Sequence, residues 1–210
     1  MGTMMVAMDI LLAPKAVDVI STECMSASVR TPMTLAEFLD WEERQEFKYE
    51  FDGFAPVAMV GGTQEHNGIS INLTGMLRER LRGKPCRPYG SDMKVEVAGS
   101  LRYPDAIVVC REYPRGTTVF PDPVAVFEVI SPSTARTDRI LKNREYRDTQ
   151  SVRYYVMLEQ DFVGAMVFSR SDGKWAGATV AGDGTIALPE LDIELPMSEL
   201  YEGVALADPA

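Results

Sequence analysis

Tyr103-Pro104-Asp105-Ala106-Ile107-Val108-Val109-Cys110, followed after an interval by Val124-Ala125-Val126-Phe127-Glu128-Val129-Ile130, is the stretch on which the fold turns. Nearly continuous apolar runs of this length mark strands covered on both faces, as at the centre of an α/β sheet. Pro104 leads into the first run and Pro132 leaves the second. The Pro- and Gly-rich interval from Glu112 to Pro123 reads as a surface loop. Each run also carries a carboxylate: Asp105 opens one and Glu128 interrupts the other. A carboxylate inside such a run is costly unless it is paired, protonated or bound to a metal. If the strands are neighbours, the two acids converge near one edge of the sheet. Two other roles stay open: Asp105 can cap a turn or accept backbone hydrogen bonds, and Glu128 can pair with an arginine.

Downstream, Thr137 to Asp148 reads as a helix in which Asp138, Lys142 and Tyr146 recur every four residues and share a face, with Arg139 beside them. Asp138 and Lys142 then form either a solvent-facing ion pair worth about 0.3–0.5 kcal/mol or a face that turns Lys142 toward Asp105 and Glu128. Strands follow at Arg153 to Leu158, Gly164 to Ser169 and Trp175 to Val180, the last two joined at Ser171-Asp172-Gly173. A partly alternating segment from Leu188 to Leu195 and a short helix near Ser198 close the pattern.

Upstream, Thr34 and Glu37 form a capping box before a helix whose apolar face holds Leu35, Phe38 and Leu39. Phe47 to Met59 reads as a hairpin around Asp52-Gly53, with Pro56 placing its second arm at an edge. From about His66, the spacing of Ile69, Ile71, Leu73, Met76, Leu77 and Leu81 describes a long amphipathic helix that Gly83 stops. Arg78, Arg80 and Arg82 lie near its end. Met93, Val95 and Val97 alternate with Lys94 and Glu96, the mark of a half-buried strand, and Asp92 stands just before it.

Composition bounds the functions open to this chain. Its 210 residues, 46% hydrophobic and 25% charged, are ordinary for a globular protein. The formal charge of −10 repels phosphate backbones, so a nucleic-acid ligand requires a local basic cleft or bound cations. Cys24, Cys86 and Cys110 are widely spaced and odd in number, which points to free thiols in a reducing, cytoplasmic setting and gives no zinc pattern. With one histidine and many carboxylates, a hard, oxygen-ligated cation is the natural metal. No apolar run is long enough to cross a bilayer. Residues 1–30 read as an N-terminal extension and a candidate dimer-contacting arm, 31–204 as a single domain and 205–210 as a tail.

Several motifs, in order, resemble those of the Uma2-like family of the PD-(D/E)xK restriction-endonuclease-like superfamily. They are Lys48-Tyr49-Glu50 with Asp52-Gly53, Glu65-His66, Ser91-Asp92-Met93-Lys94-Val95, Tyr103-Pro104-Asp105 and Phe127-Glu128-Val129-Ile130-Ser131-Pro132-Ser133-Thr134. The resemblance covers about Met33 to Glu202. It implies a restriction-endonuclease-like α/β fold: a central mixed, twisted sheet flanked by helices, with an added N-terminal hairpin and C-terminal antiparallel strands. It further implies a Mg²⁺-dependent endonuclease, with Mn²⁺ as substitute, acting on DNA; no organic cofactor is expected, and a homodimer is attractive because paired sites can address two strands. Asp105, Glu128 and the Val129 carbonyl would hold the metal, with Glu50 completing an outer shell or contacting a second ion. Lys142 would position the attacking water. His66 and Asp92 are supporting candidates, and Arg78, Arg80, Arg82, Arg139 and Arg144 are candidate phosphate contacts. The chain departs from the pattern at Ile130, where a lysine is expected, at Tyr154-Tyr155, and at Phe54-Ala55-Pro56 in the hairpin. Two rival classes are a binding module without catalysis and a hydrolase of small phosphate esters.

Overall fold

The computed structural model describes residues 31–59, 61–131 and 135–206. The expected N-terminal arm, the residues from 207 onward and the Pro132-Ser133-Thr134 part of the motif lie outside the described residues.

Thr34 caps α1 (Leu35–Glu42) through the expected box, its backbone N–H donating to the Glu37 carboxylate at 2.7 Å. The hairpin follows as β1 (Tyr49–Phe51) and β2 (Pro56–Ala58). The Asp52 carboxylate accepts the N–H groups of Phe54 and Ala55, which closes the turn. Next, α2 (Gln64–Arg80) is capped by Thr63 and gives way to Gly83 at φ 79°, a left-handed conformation open to glycine. The chain continues through β3 (Arg87–Gly90), β4 (Lys94–Val97), β5 (Ser100–Arg102), β6 (Ala106–Val109), β7 (Val119–Phe120) and β8 (Ala125–Ile130).

Thr137–Lys142 is a π-helical segment that runs directly into α3 (Asn143–Asp148). It is followed by β9 (Tyr154–Glu159), β10 (Gly164–Ser171) and β11 (Lys174–Ala181), with Asp172 and Gly173 both at positive φ in the two-residue turn between the last two. The hairpin β12 (Thr185–Leu188) and β13 (Ile193–Pro196) and a short α4 (Met197–Leu200) complete the order.

The two apolar runs are central, as expected. Both β6 and β8 are buried at every position and pair antiparallel in a six-stranded sheet ordered β11-β10-β9-β8-β6-β3. That sheet is mixed, because β8 pairs in parallel with β9. One face packs Ala106, Val108, Phe127 and Val129 against Ile69, Leu73 and Leu77 of α2 and against the β12–β13 hairpin. The other packs Ile107, Val109, Val126 and Ile130 against Tyr146 of α3 and Val95 and Val97 of β4. A five-stranded sheet ordered β2-β1-β5-β4-β7 contains the early hairpin, with β2 at its edge as Pro56 requires. The mixed α/β, restriction-endonuclease-like architecture is thus the one the motifs imply.

Three local readings change. The interval from Glu112 to Pro123 is not wholly loop, since Val119 and Phe120 pair in parallel with Lys94 and Val95. Lys94 is buried, although the alternation assigned it to solvent: its ammonium meets Glu42 at 2.6 Å beneath α1 and lies over the Tyr103 ring. The free-thiol expectation fails for Cys86 and Cys110, which form a disulfide. The register explains it, because Arg87 faces Val109 across β3 and β6 and the two cysteines are the next opposed pair. Spacing along the chain carries no trace of that register. Closing the 24-residue separation contributes about 3 kcal/mol by the chain-entropy account. No helix among the described residues is long and apolar enough to cross a membrane.

Candidate active site

The Ala106–Phe127 register, continued by one residue, sets Asp105 opposite Glu128. Glu128 projects on the side of Val126 and Ile130, toward the π-helical segment and α3, while Asp105 stands at the end of the ladder between the Val129 N–H and His66 of α2. Asp105 extends the sheet ladder with its side chain, which accepts the Val129 N–H at 2.7 Å. The backbone-acceptor role left open for Asp105 is thus real, and it leaves the residue facing a cleft of about 680 Å³ that Glu128, Val129, His66, Asp138 and Lys142 also line.

Lys142 is the hub of the floor. Its ammonium lies 3.0 Å from Glu50, 3.1 Å from Glu128 and 3.2 Å from Asp138, and every one of these side chains is less than a tenth exposed. Of the two readings of Asp138 and Lys142, the inward one holds: the helical face turns toward the carboxylates. Tyr146 donates its hydroxyl to the same Glu128 oxygen at 2.8 Å, so the four-residue repeat delivers Asp138, Lys142 and Tyr146 to one carboxylate cluster. Glu50 is anchored from the other side by Arg102 at 3.1 Å and by the Tyr103 N–H. Arg102 in turn grips Glu145 through two nitrogens. Arg102 and Glu145 escaped the sequence reading; the signal was an arginine entering Tyr103-Pro104-Asp105, which composition alone does not tell from a surface charge.

The ionisation of the cluster follows from this count. Burial alone would lower the pKa of the Lys142 ammonium, but Glu128, Glu50 and Asp138 reverse the sign and hold it above the usual lysine range. Glu128 is raised well above the ordinary carboxyl range by burial, and only in part relieved by Lys142, because Asp138, Asp105 and Glu50 crowd it with like charge. The two directions agree physically: one ammonium is shared by three carboxylates and cannot neutralise all of them.

His66, at the start of α2, places Nε2 3.4 Å from Asp105. Its pKa is raised chiefly by that hydrogen bond, against the opposing effect of burial, and the Val129 backbone adds to the rise. A raised pKa means stability that is fully present below the unfolded value of about 6.5 and lost as pH rises through the folded value. Gly62 packs against the ring, and a Cβ there would stand 2.9 Å from Nδ1. We expect Gly62→Ala to push the imidazole off Asp105 and return its pKa toward the ordinary value. The chain has a single histidine, so proton NMR titration of the imidazole reads this directly. An unchanged titration curve would mean that Asp105 does not set the His66 proton affinity.

The remaining candidates scatter. Asp92 is 82% exposed on the rim, where it holds Lys48 at 2.5 Å. Arg80 pairs with Glu199 beside α4, at a separate surface depression, and Arg144 pairs with Asp148 at the surface. Arg139 pairs with Glu159. Arg78 and Arg82 stand near the C-terminal end of α2, the end opposite His66. None of these five arginines lines the cleft; Lys48, His66 and Lys142 do.

Among the described residues, no three of His, Cys, Asp and Glu are gathered as a ready metal cage. The donor set nonetheless suits a hard divalent cation. Asp105 and Glu128 both line the cleft, and the three carboxylates around Lys142 outnumber the two buried cations, Lys142 and Arg102, that reach them. Any further ligand must come from backbone, water or substrate.

Comparison with known proteins agrees with this reading of the fold. A family model described as "Uma2: Putative restriction endonuclease" matches residues 35–198. Uncharacterized protein slr1290 of Synechocystis sp. is 31% identical over 173 residues, spanning 80% of this chain and 91% of that protein. Uncharacterized protein sll1609 of the same strain is 29% identical over 134 residues, 61% of this chain and 75% of that one. A crystal structure described as a putative nuclease belonging to DUF820 from Anabaena variabilis superposes with a TM-score of 0.68 at 16% identity, covering 83% of this chain and all of the other.

Proposed function

Because the chain belongs to the Uma2 family of restriction-endonuclease-like proteins, we propose that it is a Mg²⁺-dependent nuclease hydrolysing phosphodiester bonds in DNA. The observation that carries the proposal is the meeting of Asp105, just before β6, and Glu128, within β8, at the floor of one cleft, where Lys142 is shared by three buried carboxylates.

Asp105, Glu128 and the Val129 carbonyl are the groups that would hold the ion. When bound, Mg²⁺ supplies Lewis-acid polarisation of phosphoryl oxygen and activation of water near neutral pH. The protein's own part is positional. Asp105 is fixed by the Val129 N–H, and Glu128 is fixed by Lys142 and the Tyr146 hydroxyl. Lys142, held by three carboxylates, keeps a permanent positive charge on the cleft floor, where it stabilises charge developing on the attacked phosphate. His66 Nε2 stands beside Asp105 at the same floor and can hold or release a proton there.

The test is incubation of supercoiled, linear and single-stranded DNA with Mg²⁺ or Mn²⁺, with Asp105→Asn as the comparison. The expected result is metal-dependent cleavage by the parent that the variant loses, both chains keeping the same far-UV circular dichroism. Cleavage undiminished in the variant would remove Asp105 from the site. The lack of a three-ligand cage among the described residues favours one rival, a binding module on the same fold; DNA retention without cleavage in any metal would select it.

A further inference from the structure

Phe47 and Lys48 stand together at the mouth of the cleft, and the function just proposed does not use them. Phe47 lines the opening yet is 69% exposed, an uncommon state for a phenyl ring in a concave site. Lys48 carries its ammonium over the Tyr103 ring at 5.5 Å, tethered to Asp92 and to the Ser91 carbonyl. The Lys48 side chain is 45% exposed and its Asp92 partner 82% exposed. An ion pair so open to water contributes little and yields readily to a phosphate. It is also the one exposed ammonium that lines the cleft among the described residues, since Lys142 is buried among acids.

These features are those of a nucleotide seat. An exposed ring beside a cation gives a base a stacking platform and its phosphate a partner, the combination that single-strand binders use. A duplex reader instead makes about 6–10 phosphate contacts and buries about 1,000–2,500 Å² of protein surface. The cleft of about 680 Å³ has the dimensions of a pocket for one small ligand, and the candidate phosphate arginines lie outside it. The net charge of −10 further disfavours a long run of backbone contacts.

We infer that the cleft takes an unpaired DNA nucleotide, with a base stacked on Phe47 and its phosphate on Lys48, rather than an intact duplex. This names the substrate class of the proposed nuclease and rests on that reading for what happens next, not for the binding itself.

The experiment measures fluorescence anisotropy of a labelled 12-nucleotide single strand and of the matching duplex, in Ca²⁺, with the full chain and with Phe47→Ala, Phe47→Trp and Lys48→Gln. Phe47→Ala is expected to weaken single-strand binding about ten-fold and leave the duplex unaffected, while Phe47→Trp restores affinity. Lys48→Gln is expected to reduce the salt dependence of single-strand binding by about 0.7 in log–log slope, the loss of one phosphate contact. Duplex bound as tightly as single strand, or single-strand affinity indifferent to Phe47, overturns the inference. Parallel cleavage assays in Mg²⁺ separate the two readings. A stacking effect without cleavage of any substrate refutes the nuclease and leaves the seat standing. Duplex cleavage indifferent to Phe47 does the reverse.

Discussion

Replacing Lys142 with methionine is expected to cost about 3–5 kcal/mol of folding stability at pH 8, the range for removing one partner from a buried ion pair. Methionine fills most of the volume, so the loss is electrostatic and not a cavity effect. Glu50, Glu128 and Asp138 would then lie within a buried site with no ammonium between them. Arg102 still serves Glu50, but Glu128 retains only the Tyr146 hydroxyl and the strand around it. Protonation relieves such a site, so the penalty should shrink as pH falls toward 5. Urea unfolding of parent and variant at both pH values decides the matter. A loss below about 1 kcal/mol at pH 8 would mean that Lys142 does not hold these carboxylates together.

The same cluster shows what could be read from the chain and what could not. Asp105 and Glu128 were legible because each breaks an apolar run, and a charge in such a place demands a reason. Lys142 and Tyr146 were legible through a four-residue period, which survives in the π-helical segment because Asp138 and Lys142 still meet as neighbours. The direction of that face was not legible, since Asp138-Arg139-Ile140-Leu141-Lys142 also places apolar residues at positions that prove exposed. There the burial pattern is inverted: Ile140 and Leu141 face outward while Asp138 and Lys142 face in. Hydrophobic periodicity assumes that apolar residues mark the core, so it misorients a helix whose buried face is a charge cluster.

Lys94 was misassigned and Arg102 passed over for the same reason: each is a cation buried in a strand against a glutamate from a distant segment. The Cys86–Cys110 bridge belongs with them, because it depends on which residues face each other across β3 and β6. Long-range pairing, not local propensity, decides all of these, and only the fold supplies it. Local elements governed by their own turn chemistry, such as the Thr34 capping box and the Asp172-Gly173 hairpin, stood where the chain placed them.

Glu128→Gln is expected to separate stability from function within this one residue. The amide is nearly isosteric and keeps an oxygen to accept from Lys142 and Tyr146, but it cannot ionise. The native carboxyl has a raised pKa, so the folded chain binds a proton that the unfolded chain has released. Parent stability therefore falls as pH rises from the ordinary carboxyl range through the raised value of the folded state. His66, also raised, acts in the same sense. In EDTA the variant should lie close to the parent near pH 4, where Glu128 is largely protonated folded and unfolded alike, and exceed it near pH 9, where the parent must carry a buried excess charge or hold a proton that the unfolded chain has released. Mg²⁺ should reverse the order. A cation bound only by the folded parent adds about 2.7 kcal/mol at one hundred times its dissociation constant, and the amide, being a weaker ligand, should gain little of this and lose metal-dependent cleavage. Urea midpoints at the two pH values, with and without Mg²⁺, read all four corners. Equal stabilisation of parent and variant by Mg²⁺ would place the ion away from Glu128, and parallel pH profiles in EDTA would show that its charge is already balanced by Lys142 alone.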